Sequence, residues 1–192
     1  MGRPINNRSQ KFPVITLIGE GITEQYYFRH IRSLYNYRYI IKPYFFGITS
    51  LTEMDRKIAE VIEGGGVAIC VFDTDVTQRV EAEKKKLNRL VKKYIRKENV
   101  IFCDSLPSIE YWFLIHYKNT NKYFNNSDAV VKVLRKYLNN YEKASRYLEK
   151  EKWVVDLCSD NKLKTAIERA RDLSNIGQSY SNIYKAFNLF MK

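Results

Sequence analysis

Short segments that are almost entirely apolar alternate with helical patterns, and this alternation constrains the fold more than any other feature of the sequence. Residues 14–18 (VITLI) and 67–72 (VAICVF) are two such segments, and 39–46 (YIIKPYFF) is a third. Strands that are buried on both faces need apolar side chains on both, as in a parallel sheet. Strands separated by helices indicate βαβ units. The sequence therefore predicts an α/β fold with a mostly parallel sheet flanked by helices.

Local signals indicate how the first helices and the second strand are placed. Thr23 is expected to cap the first helix, and Ser50 with Glu53 forms a capping box ahead of the second. Pro43 has no backbone N–H to donate, so the strand that contains it is expected at an edge of the sheet.

The chain is predicted to divide into an arm, a core and a helical region. Residues 1–12 are polar and are expected to form a flexible arm, 13–118 form the α/β core, and 119–192 form a C-terminal helical region packed on that core. The elements expected in the second half of the chain are a basic helix over about 78–97, a strand over 100–103, a helix over 108–117 and further helices over 127–140, 142–152, 161–174 and 180–191.

The charge balance and the absence of targeting patterns indicate which partners and which cellular compartment to expect. The chain has 33 lysines and arginines against 21 aspartates and glutamates, a formal net charge of +12, which favours polyanionic partners. No apolar segment approaches the roughly 20 residues that span a bilayer, and the N-terminus has no signal-peptide pattern. The three cysteines lie far apart and form no zinc-binding pair. We therefore expect a cytoplasmic protein with no membrane partner.

Acidic residues follow two of the predicted strands at the points where those strands end. Glu20 follows the first strand with Glu24 one helical turn later, and Asp73 and Asp75 follow the third. Ligands of open parallel sheets bind beyond the carboxyl ends of the strands. Residues two apart in an extended segment share a face about 6.6 Å apart, so Asp73 and Asp75 can converge on one cation. Clustered at one edge, these acids need Mg²⁺ or Mn²⁺, strongly basic neighbours, or protonation.

A purely structural role is the alternative for the same residues. Asp73, Thr74 and Asp75 can cap the helix that follows them, and Glu24 can lie exposed in the first turn of its own helix, where the helix dipole favours acids. The spacing of these residues alone does not decide between a cap and a metal site.

Three segments resemble the motifs of one protein family. Residues 17–28 (LIGEGITEQYYF) are similar to the motif CEGxTExxYF, 71–75 (VFDTD) to VFDxD, and 105–117 (SLPSIEYWFLIHY) to SNPxFExWxLxHF. In this order they resemble the RloB-like family, small proteins associated with restriction and phage-defence loci. The arrangement is also similar to the TOPRIM fold of topoisomerases, primases and OLD-type nucleases. Gly19 stands where the family has cysteine, and Leu106 where it has asparagine.

The resemblance implies a site and a role for each of its residues. Glu20 would be a general acid/base or a metal ligand, with Asp73 and Asp75 as Mg²⁺ ligands and Glu24 assisting. Glu110 is a further catalytic candidate, and its alternative is a solvated or salt-bridged acid on an otherwise apolar helix. The implied cofactor is Mg²⁺ or Mn²⁺.

Two further features lie in the C-terminal half of the chain. His116 closes the helix over 108–117, where packing or capping is expected rather than catalysis. The tail motif NPxT of the family is present only as residues 178–181 (QSYS).

A ridge of basic residues follows the acidic residues of the third strand. A phosphate backbone on this ridge could enter the acidic crevice, with an affinity that falls as salt rises. The alternative is a solvated, lysine-rich helix that contributes solubility. The predicted nucleic-acid contacts are Lys84, Lys85, Lys86, Arg89, Lys92, Lys93 and Arg96.

The residues and the resemblance together predict a function. We expect a Mg²⁺-dependent enzyme of phosphodiester cleavage, a nuclease of a prokaryotic phage-defence or restriction-associated system. The alternative is a non-catalytic nucleic-acid or protein-binding adaptor of such a system. DNA or RNA is the expected partner, and an ATPase from the same defence locus and a second copy of the chain are further candidates.

Overall fold

A five-stranded sheet runs through the part of the chain that the structure describes. The structure is a computed structural model that describes residues 13–19, 21–37, 41–45, 50–75, 80–173 and 178–191. The strands are β1 (Ile15–Gly19), β2 (Ile41–Phe45), β3 (Val67–Asp73), β4 (Val100–Leu106) and β5 (Tyr180–Ser181). Their order is β2-β1-β3-β4-β5, with β1 to β4 parallel and β5 antiparallel to β4. The predicted mostly parallel sheet is confirmed, and β2 lies at its edge.

Helices flank this sheet. Those that the structure describes are α1 (Ile22–Tyr35), α2 (Leu51–Glu63), α3 (Glu81–Tyr94), α4 (Ile109–Tyr117), α5 (Ser127–Leu134), α6 (Ser145–Leu148), α7 (Lys152–Cys158), α8 (Lys162–Leu173) and α9 (Tyr184–Phe190). Helix α2 begins at its predicted cap, because the Ser50 hydroxyl accepts a 3.2 Å hydrogen bond from the Glu53 backbone N–H. The predicted α/β class is confirmed, and the architecture is compatible with a TOPRIM-like fold. None of these helices has the length and apolar character that crossing a membrane requires.

Alternate residues of the central strands pack into two hydrophobic clusters. On β3, Ile69 belongs to the larger cluster, whereas Cys70 and Phe72 belong to the smaller one. Burial on both faces explains why this strand is apolar along most of its length. Helices α2 and α3 cover the smaller cluster, and α4 lies within the larger, with every residue from 109 to 116 buried. The same larger cluster includes residues of α5 to α9, so the C-terminal region shares a core with the sheet.

The structure corrects several boundaries predicted from the sequence. Thr23 is not a cap, because α1 begins at Ile22 after the N-cap Gly21 and Thr23 lies buried inside the first turn. The segment 180–191, predicted as one helix, begins with β5, and the helix predicted over 142–152 is replaced by the short α6 and the separate α7. The arm predicted over 1–12 lies outside the described residues.

Candidate active site

The carboxyl ends of β3 and β4 and the start of α1 bring the candidate residues to one edge of the sheet. Asp73, at the end of β3, lies opposite Ser105 on β4. Helix α1 starts just beyond β1, and α4 starts just beyond β4. Glu24 and Glu110 each lie in the first turn of the helix that leaves this edge. The arrangement follows from the parallel topology, because parallel strands end on the same side of the sheet.

The start of α4 holds the carboxylate of Asp73. The Oδ1 atom accepts a 2.9 Å hydrogen bond from the backbone N–H of Ile109, the first residue of that helix. Ser108, the N-cap residue, makes no capping bond with its own side chain. Asp73 therefore acts as a cap, at a helix end where the dipole favours negative charge. The helix in this contact begins 36 residues further along the chain.

Thr74 fixes the backbone between the two aspartates of the predicted metal site. Its backbone N–H and its hydroxyl both donate to the carbonyl oxygen of Ser105, at 2.9 and 3.1 Å. Thr74 is buried, whereas Asp73 and Asp75 on either side are half-buried. The end of β3 is thus attached firmly to β4, and the predicted Mg²⁺ ligands extend from this attached segment.

Glu110 is fully buried in a polar network. Its Oε2 accepts hydrogen bonds from the hydroxyls of Ser108 at 2.6 Å and Ser127 at 3.3 Å. Its Oε1 accepts one from the Tyr141 hydroxyl at 3.0 Å and lies 3.0 Å from the Nζ of Lys143. These four partners compensate for the desolvation of the carboxylate. Glu110 is therefore ion-paired rather than solvated, and its catalytic role stays a prediction.

Lys143 is a functional candidate that the sequence patterns do not reveal. It lies between α5 and α6, and its Nζ also donates to the Ser127 hydroxyl at 2.7 Å. Burial alone would lower the pKa of this ammonium, but the carboxylates of Glu110, Asp73 and Glu24 together raise it. Lys143 is thus a basic neighbour of the kind that clustered acids require. No local motif marks this lysine. The sequence indicates only that the clustered acids need a basic neighbour, and it does not indicate which residue that is.

Glu24 belongs to the same group of charged residues as Glu110, Asp73 and Lys143. It is buried, with 4 % of its surface exposed, rather than lying in solvent as the structural alternative expects. Burial, the contact with Glu110 and then the charge of Glu24 raise the pKa of Tyr141 well above its usual value. A Cβ atom on Gly21 would lie 3.1 Å from the Oε2 of Glu24. Gly21 therefore leaves room for the carboxylate beside the start of α1.

The structure describes some, but not all, of the residues of the predicted metal site. Glu20, predicted as a general acid/base and a metal ligand, lies outside the described residues. Within the ranges given above, no group of three His, Cys, Asp or Glu side chains is arranged to hold a metal ion. The donors that this edge offers are the carboxylates of Asp73, Asp75 and Glu24, which suit Mg²⁺ or Mn²⁺ better than zinc or copper. The donor chemistry fits a hard cation, and the metal site stays a prediction.

Residues 178–181 attach the C-terminal region beside this site. The Oγ atoms of Ser181 and Ser105 are 2.8 Å apart, and the Tyr180 hydroxyl donates to Asp104 at 2.8 Å. The Ser179 hydroxyl accepts a 2.8 Å hydrogen bond from the backbone N–H of Phe124. The polar residues that stand in place of the family's tail motif therefore join β4 to the segment that leads into α5.

The basic residues predicted to contact nucleic acid lie on α3 or just after it, and all seven are exposed. Two of them form ion pairs, Lys86 with Glu83 and Lys93 with Asp55 of α2. Burial alone would raise the pKa of Asp55, but its hydrogen bonds from Lys93 and Tyr94 lower it. A cleft of about 200 Å³ separates α2 from α3 at this point. Binding of nucleic acid by this surface stays a prediction.

His116 is packed in the core, as expected. Its Nδ1 donates a 2.6 Å hydrogen bond to the Leu157 carbonyl, and its ring lies edge-on to Trp112. Burial lowers the pKa of the imidazole to about 3. His116 is therefore neutral at pH 7 and contributes to packing.

The comparison with known proteins identifies the family. The sequence matches the family model described as RloB-like protein over residues 15–188. No curated protein matches the chain, and no solved structure matches it. The family match extends from β1 into α9 and includes the three motif segments and the whole candidate site. The chain belongs to the RloB-like protein family.

Proposed function

We propose that this protein is a Mg²⁺-dependent nuclease that hydrolyses phosphodiester bonds at the carboxyl edge of its sheet. Its family indicates a restriction-associated or defence-related protein. One observation carries the proposal: the ammonium of Lys143 lies 3.0 Å from the carboxylate of Glu110, at the start of the same helix that is hydrogen-bonded to Asp73. Carboxylates that can bind a cation, next to an ammonium that can bind a phosphate, are the groups that phosphodiester hydrolysis needs.

The chemistry assigns a separate task to each group. Water adds to phosphorus and one P–O ester bond breaks, so negative charge on the phosphoryl oxygens must be stabilised. When bound, Mg²⁺ supplies a Lewis acid for the phosphate and lowers the pKa of water. Asp73 and Asp75, with Glu20, are the residues that would hold it, and Glu20 would take the proton of the attacking water. The ammonium of Lys143, whose side chain is 43 % exposed, would contact a non-bridging oxygen.

Glu110 has a positioning role in this proposal. It is fully buried, and each of its two carboxylate oxygens already has two partners. A carboxylate with this environment orients Lys143 and Tyr141 rather than touching a substrate.

The same contacts favour a second candidate function, a non-catalytic adaptor that binds nucleic acid or protein. Asp73 is hydrogen-bonded to the start of α4, and Lys143 neutralises Glu110. The described acids are therefore stabilised by the chain itself, which lowers the need for a metal ion. The exposed basic residues of α3 would then bind a polyanion without cleaving it.

Cleavage assays with matched variants distinguish the two functions. The purified protein is incubated with Mg²⁺ or Mn²⁺ and with end-labelled single- and double-stranded DNA and RNA. Asp73→Asn keeps an oxygen that can accept the hydrogen bond from Ile109 and removes the charge. We expect it to slow cleavage by about 100-fold or more with a small change in melting temperature. Asp172→Asn, at an exposed position of α8, is the control and should cleave at the normal rate.

Two outcomes would contradict the proposal. If no substrate is cut with either metal while nucleic acid is still bound, the protein is an adaptor. If Asp73→Asn cleaves as fast as the wild type, the activity does not reside at this edge of the sheet.

A further inference from the structure

A groove beside α5 has features that neither the metal site nor the basic ridge on α3 explains. Its volume is about 590 Å³. One side is the segment that leads into α5, with Lys122, Tyr123 and Phe124, and the other side is α5 and the turn after it, with Lys132, Val133 and Lys136. We propose that this groove binds a single-stranded segment of nucleic acid. The inference deepens the proposed function, because it assigns the path of a strand next to the site.

The charge of the groove favours a polyanion. Three lysines line it, and among the residues that the structure describes no acidic side chain does. Lys132 of α5 and Lys136 of the turn that follows are both exposed, and both line the groove. In the described part of the chain neither forms an ion pair, in contrast to Lys86 and Lys93 on α3. Their charges are therefore available to phosphate groups.

The aromatic side chain in the groove favours a strand with unpaired bases. Tyr123 is 52 % exposed, whereas the neighbouring Phe124 is buried and carries the Lys122 ammonium 5.7 Å from its ring centroid. An exposed ring between lysines provides a surface on which a base can stack, while the lysines contact the phosphates. In a duplex the base faces are covered by neighbouring base pairs. The groove is therefore better suited to a single strand than to a double helix.

The backbone that carries Tyr123 is fixed on both sides. The backbone N–H of Lys122 donates to the Thr120 hydroxyl at 3.2 Å, and that of Phe124 donates to the Ser179 hydroxyl at 2.8 Å. The Thr120 carbonyl in turn accepts a hydrogen bond from Tyr111 of α4. A ring presented by an anchored segment loses little entropy when a ligand stacks on it.

The groove and the candidate site lie on different faces of α5. Ser127, the first residue of this helix, contacts both Glu110 and Lys143. Lys132 follows five residues later, a rise of about 7.5 Å along the helix axis. Lys132 is also about 140° further round the helix than Ser127, so a strand that runs from Lys143 to the groove would have to pass around α5.

Binding without cleavage tests the inference. The anisotropy of labelled oligo(dT) and oligo(U) is measured at several salt concentrations with EDTA present. We expect the Lys132→Gln/Lys136→Gln variant to lower the slope of log affinity against log salt by about 1.4, at about 0.7 for each lost phosphate contact. Tyr123→Ala should weaken binding about five-fold or more, and Tyr123→Phe should retain it because the ring is kept. Lys150→Gln/Lys164→Gln, at exposed positions outside the groove, is the matched control.

Three results would overturn the inference. The first is that the wild type binds no oligonucleotide at low salt. The second is that the groove variants and the control variant lose the same amount of affinity. The third is that polyglutamate displaces the oligonucleotide while Tyr123→Ala has no effect on binding. The last would indicate an acidic protein segment as the ligand. If only the nuclease proposal is wrong, the result is different: no substrate is cut, but the groove variants still bind oligonucleotides more weakly than the wild type.

Discussion

Replacing Lys143 tests whether the buried charge of Glu110 depends on this ammonium. Lys143→Met removes the charge and keeps a side chain of similar length. Loss of one partner from a buried ion pair costs about 3–5 kcal/mol when the other charge is left uncompensated. Glu110 would keep hydrogen bonds from the hydroxyls of Ser108, Ser127 and Tyr141, and Lys143 is 43 % exposed. We therefore expect a smaller loss, about 2 kcal/mol at pH 7.

A loss of this size is measurable by thermal and urea unfolding. For a chain of this length, 1 kcal/mol corresponds to about 2–4 °C, so the melting temperature should fall by about 4–8 °C. Glu110→Gln removes the charge that needs a partner. The double variant should therefore be less destabilised than the sum of the two single variants, by about 1–2 kcal/mol.

The effect should disappear at high pH. The pKa of Lys143 is raised in the folded protein above its ordinary value of 10.5. The stability that this lysine contributes is thus fully present below about pH 10 and is lost as the pH rises through the raised folded pKa. The difference in melting temperature between wild type and Lys143→Met should be constant from pH 7 to about 9 and shrink above about pH 10.5.

An exposed ion pair is the control. Lys86 lies 2.7 Å from Glu83, with 55 % of the lysine side chain exposed, so Lys86→Met should cost less than about 0.5 kcal/mol. If Lys143→Met and Lys86→Met have the same small effect, Lys143 does not compensate the charge of Glu110.

Three further variants test the surroundings of the site. Gly21→Ala places a Cβ 3.1 Å from the Oε2 of Glu24, so we expect cleavage to slow several-fold with little change in melting temperature, and a normal rate would contradict this contact. Ser181→Ala leaves the buried Ser105 hydroxyl without its 2.8 Å partner and should lower the free energy of unfolding by about 1–2 kcal/mol, measured by urea denaturation. Millimolar Mg²⁺ should raise the melting temperature by binding the folded state, and Asp75→Asn should reduce this rise; an equal rise in both proteins would exclude Asp75 as a ligand.

Local sequence patterns predict the parts of the fold that depend on local interactions. The apolar run of β3 predicts a strand buried on both faces, and the Ser50–Glu53 pair predicts the start of α2. Thr23 shows the limit of such rules: it is a residue type that commonly caps helices, but the N-cap of α1 is Gly21 and Thr23 lies buried inside the helix.

Contacts between distant residues are not predictable in this way. β5 is two residues long, and it forms because Ser181 meets Ser105 across 76 residues of sequence. The position of Glu110 on an apolar helix predicts that it needs a partner, but nothing near it in the chain indicates Lys143. The acids of the site could be listed from the sequence because they follow strands and begin helices, whereas the lysine lies in a connection without regular structure.

The most direct test of a divalent ion at this edge of the sheet is anomalous scattering from crystals soaked in Mn²⁺. We expect a peak bound by carboxylate oxygens of Asp73 and Asp75, with the ammonium of Lys143 nearby, and loss of the peak in Asp75→Asn crystals. The absence of a peak in wild-type crystals, with Asp73 still bonded to Ile109 and Glu110 to Lys143, would contradict the proposed metal-dependent site.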